Sequence, residues 1–161
     1  MPRVYHRGNC LILGIKIELV GQKAPTGAVL FVSNHVSWLD IVVLSALIPA
    51  SFVAKSEVAD WPIAGWLAKL QRSIFIECRR LRAAAYRDQM HERLAAGDLW
   101  ILFPEGTSSD GNRVLPFKSS FLAVAEVPVR GRPLAVQPVS LAYTRLDNVP
   151  MGRRLRPMVA W

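Results

Sequence analysis

Residues 28–49, with the sequence AVLFVSNHVSWLDIVVLSALIP, have the clearest secondary-structure pattern in the chain. The stretch opens with five apolar residues after a glycine, which predicts a buried strand. Ser37 and Asp40 then have the spacing of a helix capping box, with Asp in the third position, and Pro49 ends the helix that follows. The stretch therefore predicts strand, loop and helix in succession, with His35 in the loop.

The same alternation extends in both directions along the chain. Apolar residues alternate with Lys16 and Glu18 at a period of two, which predicts a strand over 15–20 paired with the strand after the GQKAPTG turn. Further strands are expected over 51–54, 74–76, 99–103 and 134–142, and helices after Asp60 and over 81–96 and 119–127. This pattern predicts an α/β fold, a mixed central sheet flanked by helices, with functional residues on loops that leave strand ends.

Length and composition limit the class of protein. The 161 residues suit one hydrophobic core, so we expect a single domain over 1–161. With 52% hydrophobic and 20% charged residues, the chain is not intrinsically disordered. The strongly apolar, uncharged stretch of residues 41–54 is interrupted by Pro49 and falls short of the roughly 20 residues of a membrane-spanning helix. Both ends of the sequence are abrupt, which suggests that the domain is truncated at each end.

The charge balance indicates an anionic partner. Twenty Lys and Arg residues against twelve Asp and Glu give a formal charge of +8. Nucleic acid, an anionic membrane surface and phosphorylated substrates all fit this charge. Cys10 and Cys78 lack the spacing of a zinc or disulfide site, and the three histidines are far apart in the sequence. We therefore expect no metal and a reducing compartment.

The first loop has the residues of a general base. His35 follows the strand directly, and Asp40 lies five positions later in the first helical turn. A neutral imidazole can take a proton from a hydroxyl through one nitrogen while a carboxylate holds the other N–H. The acceptor hydroxyl would then belong to the substrate. In the alternative interpretation Asp40 only caps the helix and His35 is an ordinary loop residue.

The second loop, residues 103–113, has the sequence FPEGTSSDGNR and again follows a strand. It lacks the Gly-Lys-Ser/Thr of a Walker A loop and the GxSxG of a nucleophile elbow. It does offer a glycine that allows close approach, several hydroxyls, a carboxylate, and the basic residues Arg113 and Lys118. Those groups suit a small polar head group, although Asp110-Gly111-Asn112 is also ordinary turn chemistry.

Together, four blocks resemble the glycerolipid acyltransferase family that includes the 1-acylglycerol-3-phosphate acyltransferases. They are Asn34-His35-xxxx-Asp40, Ser73-Ile-Phe-Ile-Glu77, Phe103-Pro-Glu-Gly-Thr107 and Val136-Gln-Pro-Val139. The resemblance implies a glycerol-3-phosphate acyltransferase-like fold and no cofactor besides an acyl-CoA or acyl-carrier protein co-substrate. It implies that His35 is the general base, that Asp40 orients it, and that Glu105, Gly106 and Thr107 bind a lysolipid acceptor.

Two departures concern the acceptor head group. Members of the family usually have an Arg after FPEGT and another that closes the second block, where this chain has Ser108 and Cys78. Arg79 or Arg80, together with Arg113 or Lys118, could neutralise an anionic head group instead. The resemblance favours 1-acylglycerol-3-phosphate as acceptor, with a phosphate-free lysolipid such as lyso-ornithine lipid as the alternative.

The expected location is the cytoplasmic face of a membrane, reached either peripherally or through hydrophobic helices absent from this chain. A noncatalytic membrane-surface module is the rival interpretation. Nucleic-acid binding is not expected, because the aromatic residues do not follow a recognition motif.

Overall fold

A computed structural model describes residues 2–22, 27–55, 74–76 and 83–160. The strands of the main sheet are β1 Val29–Ser33, β2 Ala50–Lys55, β3 Ile74–Ile76, β4 Leu99–Leu102 and β5 Ala135–Val139, and a small hairpin contains β6 Arg145–Leu146 and β7 Val149–Pro150. The α-helices are α1 Pro2–Ile12, α2 Leu39–Leu47, α3 Ala83–Ala95 and α4 Ser119–Leu122, and Ala123–Glu126 and Arg156–Met158 form 3₁₀ turns.

The central sheet has the strand order β3-β2-β4-β1-β5, and its four strand pairings are all parallel. Val32 of β1 aligns with Leu102 of β4, and Ser33 aligns with Val139 of β5. The carboxyl ends of these three neighbouring strands therefore meet at one edge of the sheet. The α/β class is confirmed. We expected a mixed central sheet, but the described strands of this sheet are all parallel.

Helices cover both faces of the sheet because alternate residues of its central strands are apolar on both sides. Leu30 and Val32 belong to a buried cluster with Met90 and Leu94 of α3. On the opposite face, Val29, Phe31, Phe52 and Ile101 pack with Leu44 and Ile48. The sheet therefore lies between α3 and α2, and the short apolar runs of the sequence are buried strands.

Helix α2 is apolar on nearly every side, which follows from its position between the sheet and α1. While Leu44 contacts the sheet, Val42 and Ala46 pack against Cys10 of α1. A helix enclosed on two sides loses the polar stripe of a surface helix. This enclosure explains why no 3.6-residue pattern marks 39–47 in the sequence.

The expected strand over 15–20 is wrong. Residues 15–20 form neither helix nor strand, and the chain instead begins with helix α1. Leu19 is 69% and Val20 is 87% exposed. Apolar and polar residues alternate there, but a strand also needs a hydrogen-bonded neighbour, and none of the described strands pairs with this segment.

The other segments differ from expectation mainly in their bounds. The strands expected over 28–32, 51–54, 74–76 and 99–103 are confirmed within one or two residues. The helix expected over 119–127 is a short α-helix continued by a 3₁₀ turn, and the strand expected over 134–142 ends at Val139. Helix α3 is followed by Gly97 at φ +96°, where glycine is the residue with least strain. The helix expected after Asp60 lies outside the described residues.

Candidate active site

The site is built at the carboxyl edge of the sheet from segments that are distant in sequence. The loop after β1 provides His35 and leads to Asp40 at the start of α2. The loop after β4 contains Glu105, and the chain after β5 provides Leu141 and Tyr143. Because β1 lies between β4 and β5, the other two segments reach the first loop from opposite sides.

His35 and Asp40 form a hydrogen-bonded pair. The Nδ1 atom of His35 lies 2.8 Å from Oδ2 of Asp40, and a carboxylate oxygen requires that nitrogen to be the N–H donor. The imidazole stacks on Phe103, with ring centroids 4.3 Å apart and planes 17° from parallel. Its side chain is 20% exposed. Within the part of the chain that the structure describes, Nε2 has no hydrogen-bond partner and is the nitrogen available to a substrate.

The carboxylate of Asp40 is fully buried and receives four hydrogen bonds. Besides His35, its Oδ2 accepts the backbone N–H of Val36 at 2.6 Å and of Ser37 at 3.0 Å. Its Oδ1 accepts the hydroxyl of Tyr143 at 2.7 Å. The two interpretations from the sequence are therefore not alternatives, since one carboxylate both orients the imidazole and holds the backbone of the helix entry.

Glu105 is 2% exposed and holds backbone rather than projecting from the loop. Its Oε1 accepts the N–H of His35 at 2.7 Å, and its Oε2 accepts the N–H of Leu115 at 2.8 Å. In the same loop, the N–H of Ser109 donates to the carbonyl of His35 at 2.8 Å. The second loop thus fixes the peptide groups on both sides of the base. This geometry points to Glu105 as a positioning residue, whereas the resemblance implied a contact with the acceptor.

The other expected acceptor-binding residues of this loop are more accessible. Gly106 has φ +71°, and a Cβ there would lie 2.8 Å from Nζ of Lys118, so the lysine lies directly over the glycine. The backbone N–H of Lys118 donates to Pro104 at 2.9 Å, which holds the lysine beside the FPEGT turn. Thr107 and Arg113 are exposed on this loop. Arg79 and Arg80 lie outside the described residues.

Sequence reasoning did not identify a role for Asn34 or Tyr143. The side-chain amide of Asn34 donates to the carbonyl of Leu141 at 2.9 Å and accepts its N–H at 2.8 Å. This double hydrogen bond fastens the chain after β5 to the chain after β1, two residues before Tyr143. The available signal was weak, namely a hydroxyl-bearing aromatic residue shortly after a predicted strand.

No group of three or more His, Cys, Asp or Glu side chains in 2–22, 27–55, 74–76 and 83–160 is placed to hold a metal ion. None of the helices described is long and apolar enough to cross a membrane.

Comparisons with known proteins identify the class. The acyltransferase family model matches residues 16–142, a span that includes the two loops and β5. The chain therefore belongs to the acyltransferase family, as the four sequence blocks indicated. The crystal structure of the 1-acyl-sn-glycerophosphate acyltransferase of Thermotoga maritima is similar in fold, with a TM-score of 0.52 and 24% identity, and the match covers 86% of this chain and 63% of that one.

Two curated relatives show which members of the family this chain resembles. The lyso-ornithine lipid O-acyltransferase of Brucella abortus is 47% identical over all of this chain and 62% of its own length. The 1-acyl-sn-glycerol-3-phosphate acyltransferase of Neisseria meningitidis is 38% identical over 74% of this chain and 48% of its own length. The chain thus spans about half to two thirds of the relatives that it matches.

Proposed function

We propose that this chain contains the catalytic site of an O-acyltransferase that moves a fatty acyl group from an acyl thioester to the hydroxyl of a lysolipid. The observation that carries the proposal is the His35–Asp40 pair, in which Nδ1 is held by a buried carboxylate and Nε2 is left for substrate. Membership of the acyltransferase family supports the same chemistry.

In this mechanism Nε2 of His35 accepts the proton of the acceptor hydroxyl while that oxygen attacks the thioester carbonyl. The imidazolium that forms is stabilised by the adjacent negative charge of Asp40, which does not itself take up the proton. The tetrahedral intermediate then collapses, the C–S bond breaks, and the thiolate of the donor takes the proton from Nε2. The products are the acylated lipid and the free thiol, and His35 returns to its starting state.

For the acceptor we propose a lyso-ornithine lipid. The Brucella relative with that activity in its name is 47% identical to this chain, against 38% for the Neisseria 1-acylglycerol-3-phosphate enzyme. Ser108 agrees with this choice, because a forked arginine is the side chain best suited to a phosphate monoester, and the position directly after FPEGT has a serine instead. The second candidate acceptor is 1-acylglycerol-3-phosphate, favoured by the ammonium of Lys118 over Gly106. Acyl-CoA or acyl-carrier protein is the proposed donor.

We also propose that the protein works at an anionic membrane surface on the cytoplasmic side. Apolar side chains near the amino terminus are strongly exposed, with Leu11 at 82%, Ile12 at 84% and Val20 at 87%. The basic residues Arg7 and Lys16 are exposed in the same segment. Each Lys or Arg near an anionic leaflet contributes about 1 kcal/mol of attraction. The exposed apolar side chains strengthen binding further when they are buried in the membrane interface.

The test offers the full-length protein both acceptors, with one acyl thioester as donor. We expect acyl transfer to lyso-ornithine lipid, a much lower rate with 1-acylglycerol-3-phosphate, and a loss of about 10²-fold to 10⁴-fold in His35→Ala. His91→Ala is the matched control, because His91 lies on α3 and its Nε2 hydrogen-bonds the carbonyl of Pro128, outside the site. Transfer at the wild-type rate by His35→Ala would refute the mechanism, and preference for 1-acylglycerol-3-phosphate would refute the proposed acceptor.

A further inference from the structure

We infer that Tyr143 is a positioning residue of the acyl-transfer site, whose hydroxyl fixes the carboxylate of Asp40 in the orientation that holds His35. This inference rests on the proposed function, since it concerns the same reaction. It adds a third side chain to the pair, and one that comes from a different edge of the site.

The side chain of an aspartate can rotate about its last bond. That rotation has a broad preference, so the backbone alone does not set the plane of the carboxylate relative to the imidazole. In this site Oδ2 meets His35 and two backbone N–H groups, and Oδ1 meets the Tyr143 hydroxyl at 2.7 Å. The hydroxyl gives Oδ1 a donor of its own in a place with no solvent. With a donor on each oxygen, the plane of the carboxylate is fixed, and Oδ2 remains hydrogen-bonded to Nδ1.

The position of Tyr143 is itself determined by the fold. Strand β5 pairs with β1 in parallel, so the segments that follow these two strands leave the sheet side by side. The amide of Asn34 then holds both backbone groups of Leu141 at 2.8 and 2.9 Å. Tyr143 is two residues farther on, partly buried. Its hydroxyl thus reaches Asp40 from a segment fastened to the loop that contains the base.

The hydroxyl remains a donor under all working conditions. Burial, then the negative charge of Asp40 and the hydrogen bond to it, and finally a smaller effect of Cys10, raise the pKa of Tyr143 well above its ordinary value of 10. The proton of the hydroxyl is therefore retained throughout the neutral range.

The experiment compares Tyr143→Phe with wild type in the full-length protein. Tyr5→Phe is the matched control, because it removes a hydroxyl from a partly exposed ring on α1. We expect Tyr143→Phe to lower kcat by roughly tenfold to a hundredfold, the effect of losing one hydrogen bond to a charged group, with KM for the lysolipid within about twofold. A loss confined to kcat marks a positioning role, because the hydroxyl of Tyr143 contacts Asp40 and acts on the reaction through His35.

The outcomes separate this inference from the proposed function. Wild-type protein that transfers no acyl group to either acceptor would overturn the proposed function. A Tyr143→Phe enzyme with wild-type kcat would overturn only the inference. A fall in kcat and in melting temperature, together with a rise in KM, would assign Tyr143 a purely structural role and would also overturn the inference. A double-mutant cycle of Tyr143→Phe with Asp40→Asn, measured by unfolding, tests the hydroxyl–carboxylate contact without any assay of activity.

Discussion

Replacing Glu105 by glutamine separates two roles for the central residue of the FPEGT loop. The substitution keeps the size of the side chain and removes its charge. In the wild type, each oxygen accepts one backbone N–H, from His35 at 2.7 Å and from Leu115 at 2.8 Å, inside a region where Glu105 is 2% exposed. An amide has only one oxygen, so Glu105→Gln can satisfy one of the two N–H groups and must turn its own NH₂ toward the other.

The size of the effect follows from these contacts. One hydrogen bond to a charged group is lost, at about 1.5–3 kcal/mol, and a buried donor is left without an acceptor. We expect the free energy of unfolding to fall by about 2–4 kcal/mol, which corresponds to roughly 5–15 °C in melting temperature for a domain of this size. The peptide N–H of His35 is one of the two groups affected, so the imidazole should shift away from its productive position. We therefore expect kcat to fall at least tenfold while KM for the acceptor changes little.

Thermal unfolding and steady-state kinetics with varied lysolipid measure both effects on the same protein. Glu126→Gln is the matched control, because Glu126 is exposed in the 3₁₀ turn after α4 and should tolerate the change. If Glu105 instead contacts the acceptor, Glu105→Gln would raise KM and leave kcat and the melting temperature at their wild-type values. That combination would refute the positioning role.

Two further predictions follow from the site and from the exposed surface. Asp40→Asn should lower the melting temperature and should lower kcat by at least 10²-fold, because one carboxylate serves both the base and the helix entry. Asp110→Asn, at an exposed turn residue, should change neither the melting temperature nor kcat. A loss of stability in Asp40→Asn with no loss of activity would contradict this prediction. The chain should bind anionic vesicles more tightly than neutral ones in a sedimentation assay, and the difference should shrink as the Debye length falls from about 10 Å at 0.1 M salt to about 3 Å at 1 M. Equal binding to both vesicles would contradict the membrane proposal, and equally tight binding to duplex DNA would favour a nucleic-acid partner.

The strands were predictable because burial on both faces leaves a plain signature. Segments such as 28–32 and 99–103 are short apolar runs between turn residues, and both became central parallel strands. The segment 15–20 had the alternation of a half-buried strand, yet no described strand pairs with it. Pairing is a relation between two segments, so one segment's pattern could not reveal whether a partner would be there.

The pair at the centre of the site was predictable from the sequence alone. His35 and Asp40 are five residues apart across one loop and one helical turn, so local backbone geometry brings them within 2.8 Å. The residues that surround this pair are brought there by the tertiary structure. Glu105 is 70 residues from His35, and Tyr143 is 103 residues from Asp40. These contacts depend on parallel strands that end at the same edge of the sheet, and the order of those strands is fixed by packing on both faces rather than by any local pattern of residues.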